Sequence, residues 1–221
     1  MSPRVAQLLT FSGIDGAGKT TQINCVHAYL LDQGFRVARA TFWDDAAFLP
    51  RFRAGVSLSF LAKAPITDEA ALRNDKNVRG WYLMLPRYGL YLLDALRLRW
   101  VVSRLRSQDY DFLIFDRYLY DQLAQVQSRS WVARAYIHML LALTPKPTLA
   151  FLLDASPDEA FLRKPEYPLD FMHGYRRSFL SLRQFVPNLV VISPGGVGAV
   201  RESILDHVRP MPKDNREHVV A

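Results

Sequence analysis

Apolar residues fall in short runs separated by stretches with helical spacing, a pattern that predicts strands threaded by helices. The first run opens at Leu8-Leu9-Thr10-Phe11 and gives way to Ser12-Gly13-Ile14-Asp15-Gly16-Ala17-Gly18. Beyond it Ile23, Val26, Leu30 and Leu31 recur on the stride of a helix that Gly34 stops. Phe35 to Thr41 predicts a second strand with Val37 and Ala38 buried, and Asp111 to Asp116 a third. Between them, residues 46–77 read as one or two short helices, and Arg79 to Arg106 as a long helical run kinked or broken at Pro86. Ser130 to Leu143 follows as a helix with Val132, Ala135, Tyr136, Met139, Leu140 and Leu143 on its inner side. Thr148 to Leu153 predicts a fourth strand, then a helix capped by Ser156 with Pro157 in its first position. Another helix starts near Asp170 and buries Phe171, Tyr175, Phe179, Leu182 and Val186. Leu189 to Ile192 is the fifth strand, and Val200, Ile204 and Val208 mark a closing helix.

Five strands alternating with helices, without hairpin signals, predict an α/β sandwich of three layers around a parallel sheet. Residues 1–209 are expected to form a single domain and 210–221 a loose tail. The stretch around 163–177 combines Arg163-Lys164-Pro165-Glu166-Tyr167-Pro168 with Arg176 and Arg177. Cations beside a proline-bounded turn suit a short helical lid over phosphates.

The glycines of the first loop carry the chemistry. Gly13, Gly18, Lys19 and Thr20 fill G-x-x-x-x-G-K-[ST], a phosphate loop in which backbone N–H groups surround an anion. Gly13, Asp15, Gly16, Ala17, Gly18, Lys19, Thr20 and Thr21 are therefore the expected ATP-binding residues. In that pattern the lysine reaches the β/γ oxygens and the Thr20 hydroxyl holds Mg²⁺. The third strand closes on Asp116, the position of a carboxylate that faces Mg²⁺ through water in P-loop enzymes. Arg117 follows at once, and an Asp-Arg pair after a buried strand in a chain that already has a phosphate loop points to function rather than to a plain turn.

Composition narrows the setting. Half of the 221 residues are hydrophobic, enough for a sizeable core. The single cysteine, Cys25, permits no internal disulfide, and five scattered histidines have no metal-ligand spacing, so a reducing cytoplasm is expected. Trp81 to Val102 is interrupted by Pro86, Arg87, Asp94, Arg97 and Arg99, which argues against a membrane span. Nothing in the first residues has the three-part form of a secretory signal. The net charge of +7 is spread along the chain and suits a phosphorylated small molecule better than nucleic acid.

With Gly13 to Thr21 and Phe115-Asp116-Arg117-Tyr118 on the page, the chain resembles the thymidylate kinase family of nucleoside monophosphate kinases over nearly its whole length. The acid inside the phosphate loop, Asp15, is the more specific mark. The resemblance implies that Asp15 contacts the acceptor sugar and that Arg117 lies between donor and acceptor phosphates. It also implies an arginine on the preceding long helix that contacts the acceptor. Arg97, 116 − 97 = 19 residues before Asp116, fits that spacing better than Arg87 at 116 − 87 = 29. Because Ala17 leaves the loop without an arginine, the lid cations Arg163, Lys164, Arg176 and Arg177 are candidates to complete the site. A homodimer through the long helices is implied in the same way.

Two departures from the family pattern keep the acceptor open. Trp43-Asp44-Asp45 stands where an Arg-Glu-Pro is usual, and Tyr120-Asp121-Gln122 where small hydroxyl residues are common. The expected reaction is transfer of the γ-phosphoryl of Mg-ATP to a nucleoside monophosphate, dTMP first. A kinase of a nucleoside or other hydroxyl acceptor would use Asp44 as base, with a helix cap as that residue's other role. For Asp45 the cap is the expectation. A regulatory P-loop NTPase is the other alternative, although no guanine-reading Asn-Lys-x-Asp loop occurs.

Overall fold

The computed structural model describes residues 6–47, 81–126, 128 and 130–209. Residues 48–80, which include most of the stretch expected to form one or two short helices, and residues 210–221, expected as a tail, lie outside the described residues. Five parallel strands, β1 (Gln7–Ser12), β2 (Val37–Thr41), β3 (Phe112–Asp116), β4 (Leu149–Leu153) and β5 (Leu189–Ile192), form one sheet in the order β2-β3-β1-β4-β5. The helices are α1 (Lys19–Asp32), α2 (Trp81–Arg106), α3 (Leu119–Leu123), α4 (Trp131–Leu143), α5 (Pro157–Arg163), α6 (Leu169–Ser181) and α7 (Val197–Val208).

Strand alternation sorts the core into two layers. Leu9, Phe11, Phe112, Ile114, Phe151 and Leu153 pack with Ile23, Val26 and Leu30 of α1 and Ile204, Leu205 and Val208 of α7. The intervening Leu8, Leu113, Phe115, Ala150 and Leu152 face α2, α3, α4 and α6 through Ala95, Leu98, Leu119, Leu140 and Phe179. Side chains two apart on a strand share a face, so near-continuous apolar strands are what a sheet covered on both sides needs. This is the expected three-layer α/β sandwich with a five-stranded parallel sheet.

Central β1 sits between β3 and β4, with Phe11 opposite Asp116 and Ser12 opposite Leu152. The chain passes from β3 on one side of β1 to β4 on the other. That reversal opens a crevice beyond the carboxyl ends of the strands. The phosphate loop, the Asp116–Arg117 pair and Asp154 all lie at that end.

Several expected faces are corrected. Leu31 is exposed, because it falls a further 100° around α1 from Leu30. In β2 the buried residue is Ala40, while Val37 and Ala38 are half-buried at the edge of the sheet. Helix α4 turns Ile137 and Leu140 inward and leaves Val132 and Met139 exposed, so its apolar stripe is wider than its buried one. Phe171 is also exposed, whereas Met172 beside it is buried. The helix α2 runs through position 86 without a break, and Ser156 takes the N-cap position of α5 without a side-chain hydrogen bond. The Asp45 carboxylate accepts the backbone N–H of Thr41, the N-cap residue of the π-helical turn Phe42–Ala46, at 2.7 Å. Neighbouring Asp44 is exposed.

Candidate active site

The phosphate loop fills the turn between β1 and α1. Gly16 has φ +82°, and a Cβ there would lie 2.5 Å from the Ala160 carbonyl oxygen, so α5 packs directly on loop backbone. Gly18, the N-cap of α1, is left-handed at φ +84° with open space where a Cβ would be. The Ala17 N–H closes the loop onto the Ile14 carbonyl at 3.3 Å, and the α1 N-terminus follows at Gly18, an arrangement suited to cradling phosphate. Thr20 and Thr21 are exposed on the first turn of α1.

Lys19 is buried. Its Nζ donates to the carbonyls of Gly13 and Ile14, each at 2.9 Å. Burial pushes its pKa below the usual lysine range, helped by Arg117 and opposed by Asp121, Asp15 and Asp116. The two carbonyls hold the ammonium at the base of the loop, where phosphate oxygens would be its natural further partners.

Across the crevice, β3 ends at half-buried Asp116, level with Phe11 of β1 and Thr41 of β2. Arg117 then adopts φ +66°, a left-handed conformation that costs a non-glycine residue about 1 kcal/mol or more. Its backbone N–H donates to the Phe11 carbonyl at 2.9 Å, which pins the strained turn against the central strand. Its guanidinium donates through Nη2 to Asp15 in the phosphate loop and through Nη1 to Asp121 at 3.2 Å. Burial alone would lower the Arg117 pKa, but Asp121 and Asp15 overcome it and keep the guanidinium charged.

Asp121 joins this cluster, although sequence reasoning did not place it among the candidate site residues. It is fully buried and accepts from Ser12 Oγ at 2.7 Å and from the Tyr118 backbone N–H at 3.1 Å. Burial raises its pKa, against the pull of Arg117 and Lys19. The one local signal was its place three residues after the N-cap Tyr118, from which an acid reaches back to the cap N–H. Beside it, buried Gln122 donates to buried Asp94 of α2.

The remaining expected residues divide between the cluster and its surroundings. Arg163 reaches the loop, donating to the Gly16 carbonyl and to Glu159, both at 3.0 Å. Lys164 pairs with Glu166 at 2.9 Å, and Arg176 grips Asp154 with two bonds of 2.5 and 2.6 Å. Arg177 is exposed. No hydrogen bond or ion pair joins Arg97 to the Arg117 cluster among the described residues. The helix arginine that does connect is Arg87, which donates to Tyr91 at 2.5 Å and to Gln125. Gln125 and Tyr175 in turn donate to the Asp121 carbonyl at 3.4 and 3.0 Å.

No protein-family model matches the chain. Among curated proteins, it is 25% identical over 188 residues to a probable thymidylate kinase of Methanosphaera stadtmanae, covering 83% of this chain and 87% of the relative. It is 29% identical over 183 residues to a probable thymidylate kinase of Metallosphaera sedula, covering 79% and 78%. This chain is a homologue of thymidylate kinases. The crystal structure of thymidylate kinase from Ehrlichia chaffeensis matches 93% of this chain and 99% of its own with a TM-score of 0.57. At 17% identity that match speaks to the fold alone. Among the described residues no helix is long and apolar enough to cross a membrane.

Proposed function

We propose that this chain is an ATP-dependent phosphotransferase that converts dTMP and ATP to dTDP and ADP. The observation that carries the reading is the Arg117–Asp15 pair. It joins the phosphate loop to the end of β3, and so brings the donor-binding backbone within reach of a cation that two phosphates can share. Phosphoryl transfer asks a protein mainly for alignment and for charge placed where it develops on the transferred group. A phosphate acceptor is already an anionic nucleophile, so no base is required.

In this reading Gly13, Asp15, Gly16, Ala17, Gly18, Lys19, Thr20 and Thr21 line the donor phosphates. Lys19 and the loop N–H groups hold the β/γ oxygens, and the Thr20 hydroxyl with water-linked Asp116 would hold Mg²⁺. The oxygen donors fit a hard cation, which when bound neutralises charge on the phosphate oxygens. Three carboxylates (Asp15, Asp116, Asp121) against two cations (Lys19, Arg117) leave the protein's share of the site short of positive charge. The lid of about 163–177 supplies the rest through Arg163 and Lys164. Arg97 keeps its assignment as an acceptor contact, with Arg87 the competing position on the same helix.

The enzyme is read as cytoplasmic, as a single domain over 1–209, and as acting on small molecules rather than nucleic acid. It is further read as a homodimer through α2 and α4. The deciding experiment is ADP release from Mg-ATP across a panel pairing each nucleoside with its monophosphate. Turnover with dTMP and none with thymidine supports the reading. Turnover with a nucleoside alone overturns it and makes exposed Asp44 the base.

A further inference from the structure

The two carboxylates that hold Arg117 differ in kind. Asp15 rides on the phosphate loop with 16% of its side chain exposed, so an incoming ligand reaches it. Asp121 has none of its surface exposed, and its three donors come from the end of β1 (Ser12), the turn after β3 (Arg117) and the N-cap of α3 (Tyr118). One edge of the guanidinium therefore rests on a fixed partner and the other on an exchangeable one. A carboxylate is otherwise unwelcome here, since it adds a buried negative charge beside a cradle for phosphate.

We propose that Asp121 is a positioning residue that locks the Nη1 edge of Arg117, so that the Nη2 edge is already aimed when a phosphate takes the place of Asp15. The assignment rests on the phosphotransferase reading above and extends it to a residue that touches no substrate. An arginine side chain has many rotamers, and fixing one before the ligand arrives removes that ordering cost from the reaction. The Ser12 bond adds a second consequence. It ties the carboxylate to the residue from which the phosphate loop departs, so loop and arginine keep one registration.

Asp121→Asn tests this, because the amide keeps the shape and one acceptor oxygen but loses the charge that holds the guanidinium. With dTMP as acceptor, kcat is expected to fall about 10- to 100-fold, the cost of a misplaced catalytic group. KM for ATP and for dTMP should not rise, since a negative charge has been taken away from an anion site. Ser12→Ala, which loosens the carboxylate without neutralising it, should fall between the variant and wild type. A general structural defect would instead raise both KM values together with the loss of kcat.

The second measurement needs no acceptor. In ¹⁵N-arginine-labelled protein the Arg117 guanidinium, assigned by its loss in Arg117→Lys, should show hindered Nη rotation in wild type and averaged signals in Asp121→Asn. Unchanged guanidinium signals, or kcat within about twofold of wild type, overturn the proposal. Absence of dTMP turnover in wild type would overturn the substrate reading instead, and the guanidinium signals would still decide the role of Asp121.

Discussion

At the scale of single residues, the site sets stability against function at Asp121. Its pKa lies above the ordinary value of 3.8 because burial outweighs the help of Arg117 and Lys19. The sign follows from linkage: a carboxyl raised by folding contributes stability that is complete below its unfolded pKa and is lost as pH rises through its folded pKa. By neutral pH stability has fallen from its acid-side value, a loss that a neutral isostere escapes. Asp121→Asn is expected to melt at a higher temperature than wild type at pH 7. The gap should close as pH falls through the raised folded pKa toward 3.8, below which folded and unfolded wild type both hold the proton. Thermal melts of both proteins over that range check it, and a variant that melts lower at neutral pH would contradict the sign. The residue escaped sequence reasoning for a physical reason. Its partner Ser12 is 109 positions away, and nothing in a single chain announces which strand end meets which helix start. By contrast, Lys19 and the loop glycines declare themselves because their chemistry is local.

At the scale of elements, the phosphate loop is held between its own backbone geometry and the helix beside it, and two glycines separate those constraints. At Gly18 a side chain meets no atom within 4 Å, so Gly18→Ala pays only the left-handed strain, about 1–2 kcal/mol. At Gly16 the same strain is joined by a Cβ 2.5 Å from the Ala160 carbonyl, a backbone atom that cannot swing aside. Gly16→Ala must displace α5 from the loop, and with it the Arg163 contact to the Gly16 carbonyl. Urea unfolding should show the Gly16 variant as the less stable of the two, with the larger loss of ATP affinity. Equal losses would mean that α5 does not brace the loop. The elements themselves were readable in the sequence, since buried parallel strands leave unbroken apolar runs such as Phe112 to Phe115. Helix faces were less so. In α4 an apolar residue stands at almost every position, and periodicity cannot rank Ile137 above Met139 when both sides are greasy.

At the scale of the whole molecule, those misread faces gain a meaning. The stripe Val132, Ala135 and Met139, expected in the core, lies exposed on α4 with Trp131 beside it. On α2, Leu93, Leu96 and Trp100 recur at i, i+3 and i+7 and are exposed as well, Trp100 by 59%. Two neighbouring helices with an apolar stripe turned outward are costly for a chain alone in water, and a second copy presenting the same stripe would cover both. Such a two-fold contact uses the same patch on both copies, so one substitution acts twice. Trp100→Glu would place a carboxylate from each copy in a desolvated contact, which no rearrangement of flanking residues relieves cheaply. Sedimentation velocity at micromolar concentration is therefore expected to give a dimer for wild type and a monomer for Trp100→Glu, with far-ultraviolet circular dichroism unchanged between them. The phosphate loop lies between β1 and α1, whereas the stripes are on α2 and α4, so the monomer should still bind ATP. A wild-type chain that sediments as a monomer would return these stripes to the ordinary surface.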